Sequence, residues 1–193
     1  MATHAQPIAT RRRASGIPTG RLAMWWLLGS EIVIFGGLLM CYLLFRLSYD
    51  HWHVAASHTN TVFGAVNTFV LLTSSLFAVL AHQAAEAKQG GKAFLYLWLT
   101  IGGGLTFLAI KSVEWTIEIS AGYTLPSNLF WSFYYTAAGI HASHVIAGMV
   151  AMAIVSFDAL KGKNLQRVEL VGLYWHFVDI VWIFLFPLLY IAK

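Results

Sequence analysis

The sequence predicts an all-α polytopic membrane protein, a bundle of five transmembrane helices with the amino terminus inside and the carboxyl terminus outside. Of its 193 residues, 59% are hydrophobic and only 10% are charged, whereas soluble domains carry about 25% charged residues. The mean hydropathy is +0.68. Five stretches are long enough to cross a bilayer, which takes roughly 20 apolar residues per helix. This composition indicates a chain that lies mostly within a lipid bilayer.

Five spans can be located from their apolar runs. They are predicted at about 22–47, 61–83, 93–119, 128–158 and 168–192, and are numbered 1 to 5. Residues 22–45 of span 1 are interrupted only by Glu31, and residues 61–81 of span 2 carry no charge. Spans 3 to 5 each contain two or more ionisable side chains, which are the candidates for a function inside the membrane.

The segments outside the spans are too short to fold alone. Residues 1–20 are predicted to form a basic, flexible cytoplasmic tail, and 21–193 a single five-helix transmembrane domain. Arg11–Arg13 before an apolar run is superficially like a secretory leader, but the run is longer than the roughly 7–15 residues of a signal core. We therefore expect an uncleaved first helix. The single cysteine, Cys41, lies within span 1 and excludes an internal disulfide.

Lysine and arginine accumulate on the cytoplasmic side of membrane proteins. With five spans, one side carries nine of these residues: Arg11, Arg12, Arg13, Arg21, Lys88, Lys92, Lys161, Lys163 and Arg167. The other side carries two, Arg46 and Lys193, and Lys111 lies within span 3. This asymmetry predicts the orientation given above. The net charge of +4 then reflects topology and contact with anionic lipid headgroups rather than nucleic-acid binding.

A buried polar network with a proton-related or lipid-related role is predicted within the spans. Its members are Glu31, His141, His144, His176 and Asp179. At a rise of about 1.5 Å per residue, Glu31 and Asp179 each lie ~14 Å from the inner boundary and His144 ~20 Å from it. His141 is slightly farther out, whereas His176 is only ~9 Å from the inner edge. A charge near mid-membrane costs at least ~2.5–3.5 kcal/mol, so these groups are expected to face the bundle interior and pair.

The residues alone leave three purposes open for this network: structural pairing, proton handling or metal binding. The i, i+3 spacings of His141 with His144 and of His176 with Asp179 suit metal ligands. A di-iron site in a helical bundle needs Glu-x-x-His pairs, and none occurs in the sequence. A bis-histidine haem remains geometrically possible. Side-chain pairing is favoured over a metal or haem site, and neither a metal ligand nor a catalytic residue is assigned.

Lys111, Glu114 and Glu118 form a second group, which is predicted to be an outer interface cluster. Their spacing of i, i+3 and i+7 places them on one face of span 3. Lys111 lies ~26 Å from the inner edge, near the outer interface. Two interpretations are open. The group is either a mutually neutralising surface cluster whose lysine snorkels to water, or a contact with a partner subunit.

Small residues predict close approach of helix backbones at three places. These are Gly36–Gly37, Gly102–Gly104, and Gly139 with Ser143. The glycine triplet is not a phosphate loop, because it lies inside a span with no strand before it.

Five segments in collinear order carry a resemblance to a known family. They are RLAMWWLLGSEIVIFGGLLMCYLLFR (21–46), NTFVLLTSSLFAVLAHQA (67–84), Lys-x-x-Glu-Trp at 111–115, SNLFWSFYYTAAGIHASHVIAGM (127–149) and VELVGLYWHFVDIVWIFLFPLLY (168–190). The first holds a glutamate in a Ser-Glu context, and the fourth has the pattern Gly-x-His-x-x-His-Val-x-x-Gly. Over residues 20–192 the chain resembles subunit III of haem–copper respiratory oxidases, in its short five-helix bacterial form.

The resemblance implies a non-redox subunit III of a proton-pumping terminal oxidase that reduces O2 to water. In that family the haems and copper belong to subunits I and II. Subunit III packs on subunit I, binds phospholipid, and supports stability and proton uptake. Glu31 matches the family's buried glutamate, Asp179 the carboxylate of the last helix, and His141, His144 and His176 the associated histidines. Many members have seven helices around a lipid-filled cleft, whereas this chain has the last five.

The implied partners are oxidase subunits I and II and membrane lipids, with a small subunit IV or a respiratory supercomplex as further candidates. No cofactor is expected in this chain except phospholipid, and no nucleic acid is expected as a partner. The implied location is the cytoplasmic (inner) membrane of a bacterium. Either cytochrome c or quinol could be the electron donor. Two alternatives stay open: a five-helix accessory or assembly protein of a nitric oxide reductase, and a stand-alone membrane enzyme or haem carrier.

Overall fold

A computed structural model describes residues 19–49 and 52–192. Within these ranges helices are the only regular secondary structure, and there is no strand. The helices are α1 (Thr19–Ser48), α2 (Trp52–Ala56), α3 (Thr61–Glu86), α4 (Gly90–Ser120), α5 (Leu129–Leu160) and α6 (Gln166–Phe186), and a π-helical turn (Pro187–Ile191) continues α6. Nearly all of the predicted basic tail, residues 1–20, lies outside the described residues.

Five helices are long and apolar enough to cross a membrane: α1, α3, α4, α5 and α6 with its π turn. The prediction of an all-α protein with five spans is therefore confirmed, and the helices begin and end within three residues of the predicted bounds. The sequence prediction did not include α2, because a helix of five residues has no periodic or hydropathy signal of its own. The orientation of the termini stays a prediction.

Four of the long helices form the body of the structure. Each of α3, α4, α5 and α6 packs on the next, and α6 packs back on α3, which closes a four-helix arrangement. The connections between them are short, so consecutive helices are antiparallel neighbours. Asn60 caps the start of α3 and Asn128 caps the start of α5. Their side-chain oxygens accept hydrogen bonds from Val62 N and Trp131 N, respectively, each at 3.0 Å.

Helix α1 lies along the outside of this body, against α6 and α5. Its buried residues form one stripe, Gly20, Leu28, Phe35 and Tyr42. The last three are spaced by seven, so they return to the same face every two turns. The other faces of α1 remain uncovered in the isolated chain, and Trp26, Val33 and Leu47 are each at least 74% exposed. Only one stripe of α1 therefore belongs to the core.

Two indole hydrogen bonds connect α6 to α3. Trp175 Nε1 donates to Ser74 Oγ at 3.1 Å, and Trp182 Nε1 donates to Thr68 Oγ1 at 3.0 Å. Both rings are almost completely buried. A buried donor left without an acceptor costs about 1–3 kcal/mol, so these bonds fix the two large side chains in the centre of the bundle.

Glycines provide the space for one of these rings. A Cβ added to Gly148 would lie 2.9 Å from Trp175 Cε3, and one added to Gly104 would lie 2.8 Å from Trp175 Cη2. Gly103 likewise approaches Ser74. The expectation of close packing is therefore met at two members of the Gly102–Gly104 triplet. It is wrong for Gly36, Gly37, Gly102 and Gly139, because a Cβ there would have nothing within 4 Å.

The C-terminal π turn is held by side chains from outside α6. Pro187 begins this turn, and the carbonyl groups that follow accept hydrogen bonds from other parts of the chain. Tyr42 of α1 donates to the Leu188 carbonyl at 2.6 Å, and Thr61 of α3 donates to the Tyr190 carbonyl at 3.1 Å. The last turn thus connects α1, α3 and α6 at one end of the bundle.

The close approach of Gly148 to the Trp175 ring gives a direct test of the packing in the centre of the bundle. We expect Gly148→Ala to destabilise the chain by about 1–3 kcal/mol, the usual cost of overpacking a rigid core. Gly139→Ala, on the same helix but facing open space, should be neutral or stabilising by up to ~1 kcal/mol, because alanine is the better helix former. The measurement is the thermal midpoint of the detergent-solubilised protein. Equal midpoints for the two variants would contradict the packing described.

Candidate functional site

Glu31 and His144 form the one direct hydrogen bond between members of the predicted network within the described residues. Glu31 Oε2 lies 2.9 Å from His144 Nε2, so the pair joins α1 to α5. The side chains are 14% and 19% exposed, respectively. Their hydrogen bond shows that the two groups lie at one level of the bundle, whereas their depth in the membrane stays a prediction. The partial exposure of both side chains places the pair at the edge of the bundle rather than in its centre.

The second ring nitrogen of His144, Nδ1, determines how many protons the Glu31–His144 pair holds. His144 Nδ1 lies 2.8 Å from the Ile140 carbonyl oxygen, and a carbonyl can only accept, so Nδ1 carries a hydrogen. A hydrogen bond at Nε2 then needs one proton between the ring and the carboxyl group. Either the carboxyl donates to a neutral imidazole, or an imidazolium donates to a carboxylate. The pair is neutral in total in both cases.

The core stripe of α1 positions this pair. Glu31 precedes Phe35 by one helical turn, and the Phe35 ring packs edge-on against the His144 ring with centroids 5.2 Å apart. Phe35 is 3% exposed, so it fixes the face of α1 that meets α5. The carboxyl group is thus presented to His144 by the same face that buries the apolar side chains.

His176 of α6 forms a hydrogen bond with a residue of α3 rather than with another member of the predicted network. Its Nδ1 lies 2.6 Å from Ser75 Oγ, which joins α6 to α3. Asp179 lies one turn farther along α6 and is 4% exposed. Neither of its carboxyl oxygens has a hydrogen-bond partner among the described residues. The spacing of His176 and Asp179 suggests a pair, but the structure does not join them by a hydrogen bond.

His141 lies in the centre of the bundle, fully buried between aromatic rings. The ring centroids of Phe107 and Trp182 are 5.4 Å and 5.2 Å from its own. In the part of the chain that the structure describes, neither of its ring nitrogens has a hydrogen-bond partner. The predicted network is therefore two separate hydrogen bonds, Glu31–His144 and Ser75–His176, with His141 and Asp179 buried beside them.

The group on α4 is buried, which corrects the surface interpretation. Lys111, Glu114 and Glu118 are 2%, 1% and 6% exposed. The Lys111 ammonium donates to Glu114 Oε2 at 3.0 Å, to the Tyr134 hydroxyl at 2.9 Å, and to the Tyr190 hydroxyl. Because all its donors find acceptors inside the bundle, the lysine has no need to reach water. The three side chains are also too buried to contact a partner subunit directly.

Tyr134 and Tyr190 complete this group, which we call the Lys111 cluster: Lys111, Glu114, Glu118, Tyr134 and Tyr190. The ammonium also lies 4.6 Å and 5.1 Å from the ring centroids of the two tyrosines, a distance at which a cation is attracted to an aromatic face. Sequence reasoning missed both tyrosines. The one available signal was the lysine itself, since a cation inside a span needs more acceptors than one carboxylate.

The side chains that commonly bind metals are dispersed in the part of the chain that the structure describes. Within residues 19–49 and 52–192, no group of three or more His, Cys, Asp or Glu side chains is arranged to hold a metal ion. Glu31, His144 and His176 instead meet a hydroxyl, a backbone carbonyl and one another. Their arrangement is suited to holding protons and to fixing helices.

Comparison with known proteins agrees with this architecture. The family described as Cytochrome c oxidase subunit III matches residues 16–193. The chain is similar to cytochrome c oxidase subunit 3 of Corynebacterium diphtheriae, with 31% identity over 97% of this chain and 94% of the relative. It is 33% identical to cytochrome c oxidase subunit 3 of Bacillus subtilis over 88% of this chain and 84% of the relative.

A third relative is a longer protein. Heme-copper oxidase subunit I+III of Aeropyrum pernix is 30% identical over 89% of this chain and 22% of the relative. The match across nearly the whole chain, together with the two relatives of similar length, decides the family. The chain, a multi-pass membrane protein, belongs to the cytochrome c oxidase subunit III family of the haem–copper oxidases.

Proposed function

We propose that the chain is the non-redox subunit III of a proton-pumping terminal oxidase that reduces O2 to water. The observation that carries this proposal is the family match over residues 16–193, which includes every described residue. The haems and copper would be held by partner subunits I and II. The nine-to-two distribution of Lys and Arg between the two sides of the spans supports an orientation with the amino terminus inside. The bacterial source of the two relatives of similar length supports a place in the cytoplasmic membrane of a bacterium.

Packing on subunit I is supported by a relative and by the exposed faces of α1. The Aeropyrum pernix protein is named as subunit I+III, a combination that fits close contact of the two subunits. The most hydrophobic stretch of α1 is only 17% buried, against 39% for α5 and α6. A helix of this kind leaves apolar surface for a partner subunit or for lipid.

Phospholipid binding is supported by a groove between α1 and α6. Its volume is about 250 Å³. It is lined by Ile32, Phe35, Gly36 and Leu39 of α1 and by Phe177, Ile180, Val181 and Phe184 of α6. The lining is apolar throughout, as an acyl chain requires. We assign the groove to the acyl chain of a membrane phospholipid.

The Glu31–His144 pair supports the remaining part of the proposal, a role in stability and proton uptake. It fastens the lightly packed α1 to α5. It also holds one proton between a carboxyl and an imidazole group, two side chains that act as proton donors and acceptors in proteins. One bond therefore serves to fix a helix and to store a proton within the membrane.

Purification through an affinity tag on this chain tests the assignment. We expect it to bring down a membrane complex that contains haem and copper and consumes O2. A complex that reduces nitric oxide instead would support the accessory or assembly alternative. Haem in the isolated subunit, separated from all partners, would contradict a non-redox role.

Substitution of Glu31 tests the role of the pair. We expect Glu31→Ala to leave the haem content of the complex intact but to lower the number of turnovers before inactivation. The reason is that His144 Nε2 then loses its partner inside the bundle, at a cost of about 1–3 kcal/mol. Turnover at constant O2 is followed until activity stops.

Glu86→Ala is the matched control, because Glu86 is 70% exposed at the end of α3 and bridges His82 on its own helix. It should leave the number of turnovers unchanged. Loss of haem in Glu31→Ala would mean that the residue serves assembly. An unchanged turnover number would mean that the pair does not support sustained activity.

A further inference from the structure

The Tyr134 hydroxyl shows that the Lys111 cluster needs one more proton than two carboxylates allow. This hydroxyl lies 3.0 Å from Glu114 Oε1 and 3.0 Å from Glu118 Oε1. A phenol has a single hydrogen, and an ionised carboxylate can only accept. The hydroxyl can therefore donate to one of the two carboxyl groups. At the other carboxyl group, the Tyr134 oxygen and the carboxyl oxygen would repel each other through their lone pairs. This repulsion is avoided if that carboxyl carries a proton and donates it in a hydrogen bond to Tyr134.

The net charge of the Lys111 cluster also indicates that the cluster holds one added proton. On α4 the charged groups are Lys111, Glu114 and Glu118. The titratable groups that face them are His141, Tyr134 and Tyr135 on α5 and Tyr190 on the π turn. Tyr135 donates to the Tyr123 carbonyl in the α4–α5 connection. One ammonium and two carboxylates would leave a net negative charge in a place that excludes water, which is costly. One added proton makes the cluster neutral.

The contacts decide which carboxyl group carries this proton. Glu114 Oε2 accepts from the Lys111 ammonium at 3.0 Å, and a cation at this distance stabilises the ionised carboxylate. Glu118 Oε2 has no hydrogen-bond partner among the described residues. A neutral carboxyl group at Glu118 tolerates this position far better than a charged one would.

We propose that Glu118 is a proton-binding site, at which a protonated carboxyl group donates to Tyr134 and Tyr134 donates to Glu114. The ligand is a single proton, and it is held by a chain of hydrogen bonds that ends at the Lys111 ammonium. Glu118 is the most exposed of the three α4 side chains and lies near the end of α4 at Ser120. We therefore expect the α4–α5 connection to be where the proton enters and leaves the site.

Occupancy of this site is linked to the carboxyl-terminal turn. The Tyr134 hydroxyl lies 3.1 Å from that of Tyr190, and Lys111 donates to both. Loss of the proton would place repelling oxygens at the hydroxyl that helps to hold Tyr190. The site is separate from the Glu31–His144 pair and does not depend on the oxidase assignment.

Infrared spectroscopy of the complex purified through this chain tests the site. Glu118→Gln keeps the shape of the side chain, and its amide can donate to Tyr134 in place of the acid. We expect the variant to lose the carbonyl-stretch band of one protonated carboxyl group at neutral pH. Glu86→Gln, at an exposed position, should keep it. A spectrum in which Glu118→Gln retains the band would overturn the proposal.

Tyr134→Phe provides a second, independent readout if the glutamine variant does not assemble. The substitution removes the hydroxyl and keeps the ring. We expect the band of the same carboxyl group to shift, because its hydrogen bond to Tyr134 is lost. A band at the wild-type position would show that the protonated carboxyl does not bind Tyr134, and the proposed hydrogen-bond chain would then be wrong.

Discussion

The absence of water from the bilayer interior is the constraint on which the rest of this structure depends. A polar side chain inside a span must find its partner within the protein, because hydrocarbon offers none. The chain meets this requirement at three places. Glu31 with His144 joins α1 to α5, Ser75 with His176 joins α3 to α6, and the Lys111 cluster joins α4, α5 and the C-terminal turn. Apolar side chains pack equally well against lipid, so these polar contacts help to select the inward faces.

Helix α1 shows the consequence most clearly. It is attached at three levels along one stripe. Arg21 binds Glu169 at one end, Glu31 binds His144 near the middle, and Tyr42 donates to the Leu188 carbonyl at the other end. Between these attachments an apolar groove separates part of α1 from α6. A helix held by a few polar bonds, with a lipid-sized groove beside it, is suited to contact with further membrane components.

The sequence predicts the parts of the structure that depend on distance along a helix. Hydropathy locates the five spans, and the rise per residue places Glu31 and His144 at one level, where the structure joins them. Hydropathy and rise per residue do not show which side of a helix faces the interior of the bundle. Lys111 points inward because Tyr134 and Tyr190, from other parts of the chain, supply its acceptors. Neighbouring glycines differ for the same reason, since Gly104 faces Trp175 and Gly102 faces open space.

The central claim is that the Glu31–His144 pair, the Ser75–His176 pair and the Lys111 cluster are held together inside this chain, so that the subunit presents an apolar surface to its complex. An electron cryo-microscopy map of the complex purified through this chain measures this most directly. The account predicts that Glu31 contacts His144 and that Glu114, Glu118 and Tyr134 surround Lys111. It also predicts that neighbouring subunits meet only the apolar faces of α1 and the bundle. Glu31 turned away from α5 and bound by a residue of another subunit, or Lys111 exposed at an intersubunit contact, would contradict it.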